Sequence, residues 1–180
     1  MKPGIKELHI FIKGIFAKEI RYAYEHFEIL SEADLQAHAW HKIRNFLEQY
    51  DPASRKFQVL NKPYFKDLHI HPDLAIFRRK KPWVLIELKE RRELTVRSAK
   101  KEWNRLIKAK KALKRKTVKL KRGYLIYVAL RGKGRILAGP KGPGGKFFFE
   151  IPIVLEEHLL PKQITAWEKD FRQLAKYIAG

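Results

Sequence analysis

The sequence predicts an α/β domain with a central mixed β-sheet flanked by helices, and three observations carry that prediction. Short apolar runs follow one another between residues 56 and 89. A long amphipathic segment comes next, from 96 to about 114. A second continuous apolar run, 123–130, comes after it. Strands, a helix and a further strand in that order point to a helical crossover within one sheet.

The first thirty residues carry a mixed pattern. Ile5, Leu8, Ile12, Ile15, Phe16, Ala23 and Phe27 fit a helix, while Leu8, Ile10 and Ile12 alternate as in a strand. Helix is the reading for the centre of this stretch. Ser31 then offers an N-cap, with Asp34 three residues on and Glu32 suited to the positive helix end. Leu35, Ala39, Ile43, Phe46 and Leu47 supply the apolar stripe, and the helix should stop near Tyr50, before Asp51-Pro52. Strands are expected at 56–60, 68–78 and 83–89, with Lys80-Lys81-Pro82 as the last turn.

In the 96–114 helix, Ala99, Trp103, Leu106, Ile107 and Leu113 share one face. Residues 123–130 read as a strand covered on both sides. A Gly/Pro-rich basic loop fills 132–146. A last strand over 147–155 belongs at an edge because of Pro152. Ile164, Trp167, Phe171, Leu174 and Ile178 mark a C-terminal amphipathic helix. The whole, 1–180, is expected to be one domain with a core at about 31–130 and the loop, edge strand and helix in 131–180.

Forty Lys and Arg face nineteen Asp and Glu, a net charge of +21. A domain this basic repels itself unless a polyanion neutralises it, and phosphate contacts by Lys and Arg dominate nucleic-acid affinity. A hyperthermophile's surface is the bland alternative, but Glu does not keep pace with Lys here. An anionic membrane surface is the lesser competitor. No apolar run reaches the ~18–20 residues needed to cross a bilayer, and no clean signal-peptide pattern opens the chain. The expectation is a soluble, intracellular, cytoplasmic protein. With no cysteine, any metal must rest on carboxylates, histidines, carbonyls and water, which favours Mg²⁺ or Mn²⁺.

The chemistry concentrates in 68–90. Along 84–89, Leu85, Glu87 and Lys89 point one way and Val84, Ile86 and Leu88 the other. Charges in an otherwise apolar strand are costly unless used or paired. Asp73 lies one hairpin away, and an in-register hairpin brings it to Glu87. Two carboxylates can hold a divalent cation, and a nearby Lys can position water and meet developing charge. Alone, Asp73 reads as a turn residue, and Glu87 with Lys89 as a surface ion pair.

Pro72-Asp73, thirteen intervening residues, then Glu87-Leu88-Lys89 resembles the motif of the PD-(D/E)XK nuclease superfamily, which includes restriction endonucleases and archaeal Holliday-junction resolvases. The resemblance covers roughly 31–130 and leaves the first thirty residues and the tail unexplained. It implies a restriction endonuclease-like core and an endonuclease that hydrolyses DNA with Mg²⁺ or Mn²⁺. Asp73 and Glu87 would ligate the metal with the Leu88 carbonyl, and Lys89 would be the catalytic lysine. Glu32 is the preferred helix carboxylate, Asp34 the competing one, with Gln36 nearby. A homodimer would suit a junction resolvase, and a nicking enzyme needs none.

His69, His71 and Asp73 form a His-x-His-x-Asp string. Contact with DNA or support of the ligands suits these histidines better than direct metal binding. Residues 78–122 hold about twenty Lys and Arg against four Glu. Lys100, Lys101, Lys108, Lys111 and Arg115 are expected to follow a phosphate backbone. Lys133 and Arg135, with Lys141 and Lys146, make the glycine-rich loop a second phosphate-contacting element. No P-loop sequence occurs. The alternative function is a non-catalytic nucleic-acid-binding protein.

Overall fold

The structure is a computed structural model that describes residues 4–53, 56–66, 69–93, 96–131 and 147–154, with 165–166, 169–170 and 172–174 of the C-terminal segment. The chain opens with α1 (Ile5–Phe11), a π-helical turn (Ile12–Phe16) and α2 (Ala17–Glu25). Leu8, Ile12, Phe16 and Ile20 are fully buried at four-residue spacing, while Ile10 is 69% exposed. That is helical periodicity, and it settles the mixed pattern of this stretch.

Helix α3 (Glu32–Glu48) begins at the expected cap. The Asp34 amide donates to Ser31 Oγ at 3.2 Å, and Asp34 Oδ2 accepts from Ser31 Oγ at 2.8 Å and from the Leu30 amide at 3.1 Å. This reciprocal box satisfies donors that a helix start otherwise leaves open.

The sheet has five strands in the order β1 (Phe57–Asn61), β2 (Leu74–Arg78), β3 (Lys81–Glu93), β4 (Arg122–Arg131) and β5 (Phe148–Val154). The first three pair antiparallel and the last three parallel. Helix α4 (Val96–Arg115) makes the crossover from β3 to β4. The α/β class with a mixed sheet flanked by helices is therefore as expected.

Several boundaries differ from the sequence reading, and β3 runs on to Glu93, beyond the strand expected over 83–89. The strand expected over 68–78 starts only at Leu74. His69 takes a left-handed φ of 48°, and Ile70 makes one isolated bridge to Phe65. Both divert the chain into a small loop, which the Lys62 amide closes by donating to the Asp73 carbonyl at 2.8 Å. The β2–β3 turn is made by Arg79 and Lys80, with φ of 52° and 62°. Two successive positive φ values match the twist of a tight hairpin. Pro82, expected in that turn, instead lies in β3 opposite Phe77, beside a bulge, where a missing N–H is tolerated.

Alternation along the strands builds two cores. Leu74, Ile76, Val84, Ile86, Leu88, Tyr124 and Ile126 face α1, α2 and α3. Ala75, Leu85, Leu125 and Tyr127 face Trp103, Leu106, Ala109 and Leu113 of α4. With both faces covered, β4 can be the continuous apolar run that it is.

The outer side of β1 is blunted. Trp40 Nε1 donates to the Val59 carbonyl at 2.9 Å, and Asp51 Oδ2 accepts from the amides of Lys56 and Phe57 at 2.6 and 3.1 Å. At the opposite edge, β5 carries Pro152. The described residues of the C-terminal segment are helical, and Leu174 is 36% exposed. The 132–146 loop, with Lys133 and Arg135, lies outside the described residues.

Candidate active site

Asp73 ends the small loop and enters β2. Because Leu74 pairs with Ile86, Asp73 comes opposite Glu87. The Leu88 amide donates to Asp73 Oδ2 at 2.8 Å, and Gln36 Nε2 from α3 donates to Asp73 Oδ1 at 3.1 Å. Strand and helix thus fix both oxygens of one carboxyl. Burial raises the Asp73 pKa above the usual carboxylate range, and the bonds from Leu88 and Glu87 act against that.

Glu87 is completely buried, and neither side-chain oxygen has an amide, hydroxyl or amine donor. Arg105 Nη1 of α4, on a half-exposed side chain, is 3.8 Å from Glu87 Oε2. Burial first, and the facing Asp73 second, push the Glu87 carboxyl up to about 9. Burial and the facing Asp73 both favour the protonated form of Glu87. Two like charges this close and this dry cannot both stand ionised without a cation.

Lys89 lies two residues along the same strand face. Its Nζ donates to Glu32 Oε2 at 3.0 Å and to Oε1 at 3.3 Å. Its partner is therefore Glu32 at the start of α3 rather than Glu87. Of the two helix carboxylates, Glu32 reaches the strand, while Asp34 is engaged in the cap. Gln36, one helical turn after Glu32, is 4% exposed and meets Asp73. The structure thus gathers Glu32, Asp73, Glu87, Leu88 and Lys89 where β2 begins beside the middle of β3.

Two further carboxyls that sequence reasoning missed lie on the α4 side. Glu102 is 4% exposed, its Oε2 lacks a partner, and its charge adds to the raised Glu87 pKa. Glu150 stands in the row Glu87–Leu125–Glu150 across β3, β4 and β5, and accepts a hydrogen bond from Trp103 Nε1. The signal for Glu102 was present: it shares the helix stripe of Leu106, Ala109 and Leu113. Glu150 gave none, because the strand pairing that aligns it joins distant parts of the chain.

His69 and His71 do not continue the β2 face. Both are exposed in the loop before Asp73, where Tyr64 engages them. Lys101, Lys108, Lys111 and Arg115 are exposed on α4, and Lys100 belongs to the same helix.

No group of three or more His, Asp or Glu side chains is gathered as a metal-binding set among the described residues. Glu32 is turned to Lys89 instead. The donor chemistry still fits a hard divalent cation. Glu87 offers two buried oxygens without donors against a second carboxyl, an arrangement that a positive ion relieves. Among the described residues no helix is long and apolar enough to cross a membrane. Compared with protein-family models, curated proteins and solved structures, the chain matches none.

Proposed function

We propose that this chain is a Mg²⁺- or Mn²⁺-dependent endonuclease that hydrolyses DNA phosphodiester bonds, with Asp73, Glu87 and Lys89 at its centre and a restriction endonuclease-like arrangement of the PD-(D/E)XK kind. The observation that carries it is the buried Glu87 carboxyl, without donors and facing Asp73, with Lys89 two residues away on the same strand face. A structural carboxylate would have been given hydrogen bonds. A net charge of +21 supports a polyanionic substrate.

Asp73 and Glu87 would hold the cation with the Leu88 carbonyl, while Glu32, which the resemblance also assigns to the metal, is engaged with Lys89. When bound, such a cation lowers the pKa of a coordinated water and neutralises charge on the phosphate. Gln36 and the Leu88 amide keep the Asp73 carboxyl from rotating away. Lys89 acts as a donor to the attacking water and to the phosphate oxygens as negative charge grows. Glu32 holds the Lys89 amine in place by accepting from it through both oxygens.

Incubation of purified protein with plasmid, linear and branched DNA, with and without Mn²⁺ or Mg²⁺, tests the reading. The parent is expected to cut only with metal, and Asp73→Ala and Glu87→Gln not at all. Cleavage that persists in both variants overturns the assignment.

A second reading is a non-catalytic nucleic-acid-binding protein. Arg105 at 3.8 Å from Glu87 favours it, since an internal cation could serve where the first reading puts a metal. Tight DNA binding without cleavage under any divalent metal would support it.

A further inference from the structure

The loop that delivers Asp73 to the site carries a feature that the proposed chemistry does not use. Phe65 stacks on Phe77 of β2 with ring centroids 5.8 Å apart, and Ile70 is buried, so these two residues anchor the loop. Beside these anchors the chain turns other rings outward. Tyr64 is 52% exposed, and His71 stacks on it at 4.3 Å with an interplanar angle of 11°. The Tyr64 hydroxyl lies 3.2 Å from His69 Nδ1. The loop holds its shape at its base, because the Lys62 amide donates to the Asp73 carbonyl.

An exposed tyrosine is costly to hold in a fixed orientation unless something fixes its ring. Here a parallel imidazole backs it, and a second histidine meets its hydroxyl. The result is a pre-oriented aromatic face at the surface. Lys62 and Lys66 beside it are exposed as well. An aromatic face flanked by lysines is the chemistry that receives nucleobases along a charged backbone, and it needs bases whose faces are free. Paired bases in a duplex bury those faces against their neighbours.

We propose that Tyr64, backed by His71, is a stacking platform for an unpaired base next to the candidate active site, so that the chain prefers DNA with single-stranded character. This rests on the nuclease reading for its biological sense, but not for its measurement. Lys62 and Lys66 hold the adjoining phosphates, and Tyr64 holds the base. The strand is thereby led toward Asp73, the far end of the same loop.

The test is equilibrium binding of the full chain in EDTA, so that no cleavage intervenes. Fluorescently labelled single-stranded DNA of mixed sequence is compared with a blunt duplex of the same length, at two salt concentrations. The parent is expected to favour the single strand. Tyr64→Ala should lose roughly 5- to 100-fold of single-strand affinity and change duplex affinity less than about twofold. Tyr64→Phe should retain the parent's preference. Tyr64→Lys, which adds charge but removes the ring, should lose the preference as Tyr64→Ala does. A preference unchanged in Tyr64→Ala, or restored by Tyr64→Lys, overturns the platform. Loss of cleavage in Lys89→Ala with the preference intact separates this result from the fate of the nuclease reading.

Discussion

The amine of Lys89 and the carboxylate of Glu32 are joined by two hydrogen bonds, of 3.0 and 3.3 Å, across a gap of 57 positions in the chain. The pair ties β3 to the start of α3. Lys89→Ala is expected to lower DNA cleavage by at least ~10²-fold while DNA affinity changes little, because the amine acts chiefly in the transition state. The pair is partly exposed, so its loss should cost only ~0–1 kcal/mol of stability. Cleavage rate, DNA affinity and a thermal melt of the variant check all three statements. A folded variant that cuts at the parent rate removes Lys89 from the mechanism.

Stability should respond to pH through Glu87. Its folded-state pKa of about 9 lies above the ordinary 4.5 of an unfolded glutamate. The folded protein therefore holds a proton that the unfolded chain has released throughout that window. Stability from this group is fully present below about 4.5 and is lost as pH rises toward 9. Glu87→Gln, which stays neutral, should flatten the decline. Chemical denaturation of both proteins between pH 5 and pH 9 in EDTA measures it. Parallel pH profiles for parent and variant would contradict the assignment.

Gln36 is expected to matter more than an ordinary helix residue. It is buried and donates to Asp73 Oδ1. Gln36→Leu leaves that oxygen dry and without a donor, which should cost about 1–3 kcal/mol. Cleavage should fall as well, since the Asp73 carboxyl then loses its tie to α3. A melt that does not move would mean that this bond contributes nothing net to the fold.

The exposed basic side chains of α4 predict a salt effect. Each phosphate neutralised on duplex DNA contributes about −0.9 to the slope of log affinity against log salt. Replacing Lys108, Lys111 and Arg115 with Ala should therefore flatten the slope by up to ~2.7. Titrations at several salt concentrations decide it. An unchanged slope makes this helix face ordinary solvated surface.

Where local chemistry dictates structure, the sequence was readable. Ser31 and Asp34 announced α3 through the capping pair that they form, and the run after Gly123 announced a strand buried on both sides. The approach of Asp73 to Glu87 followed from hairpin pairing alone. Other features, besides the alignment of Glu150, were not readable. Alternation in 68–73 resembled a strand, but the left-handed His69 and the bridge to Phe65 turned it into a loop. Glu32 is preferred over Asp34, but that Glu32 would meet Lys89 while Asp34 is taken up by the cap is a matter of side-chain geometry. The stacking of His71 on Tyr64 is a contact between two loop residues seven positions apart, and no periodicity predicts it.

The indole of Trp40 and the carboxylate of Asp51 occupy hydrogen-bonding groups on the outer side of β1 that a neighbouring strand would need. A second molecule cannot simply continue the sheet there; it must first evict an aromatic ring and a carboxylate. Intermolecular ribbon growth, the route by which exposed strands seed aggregates, meets a barrier at this border. Any pairing of two copies that places two sites against opposite strands of one substrate must accordingly be sought away from β1. Crosslinks formed through β1 would indicate damaged rather than native protein.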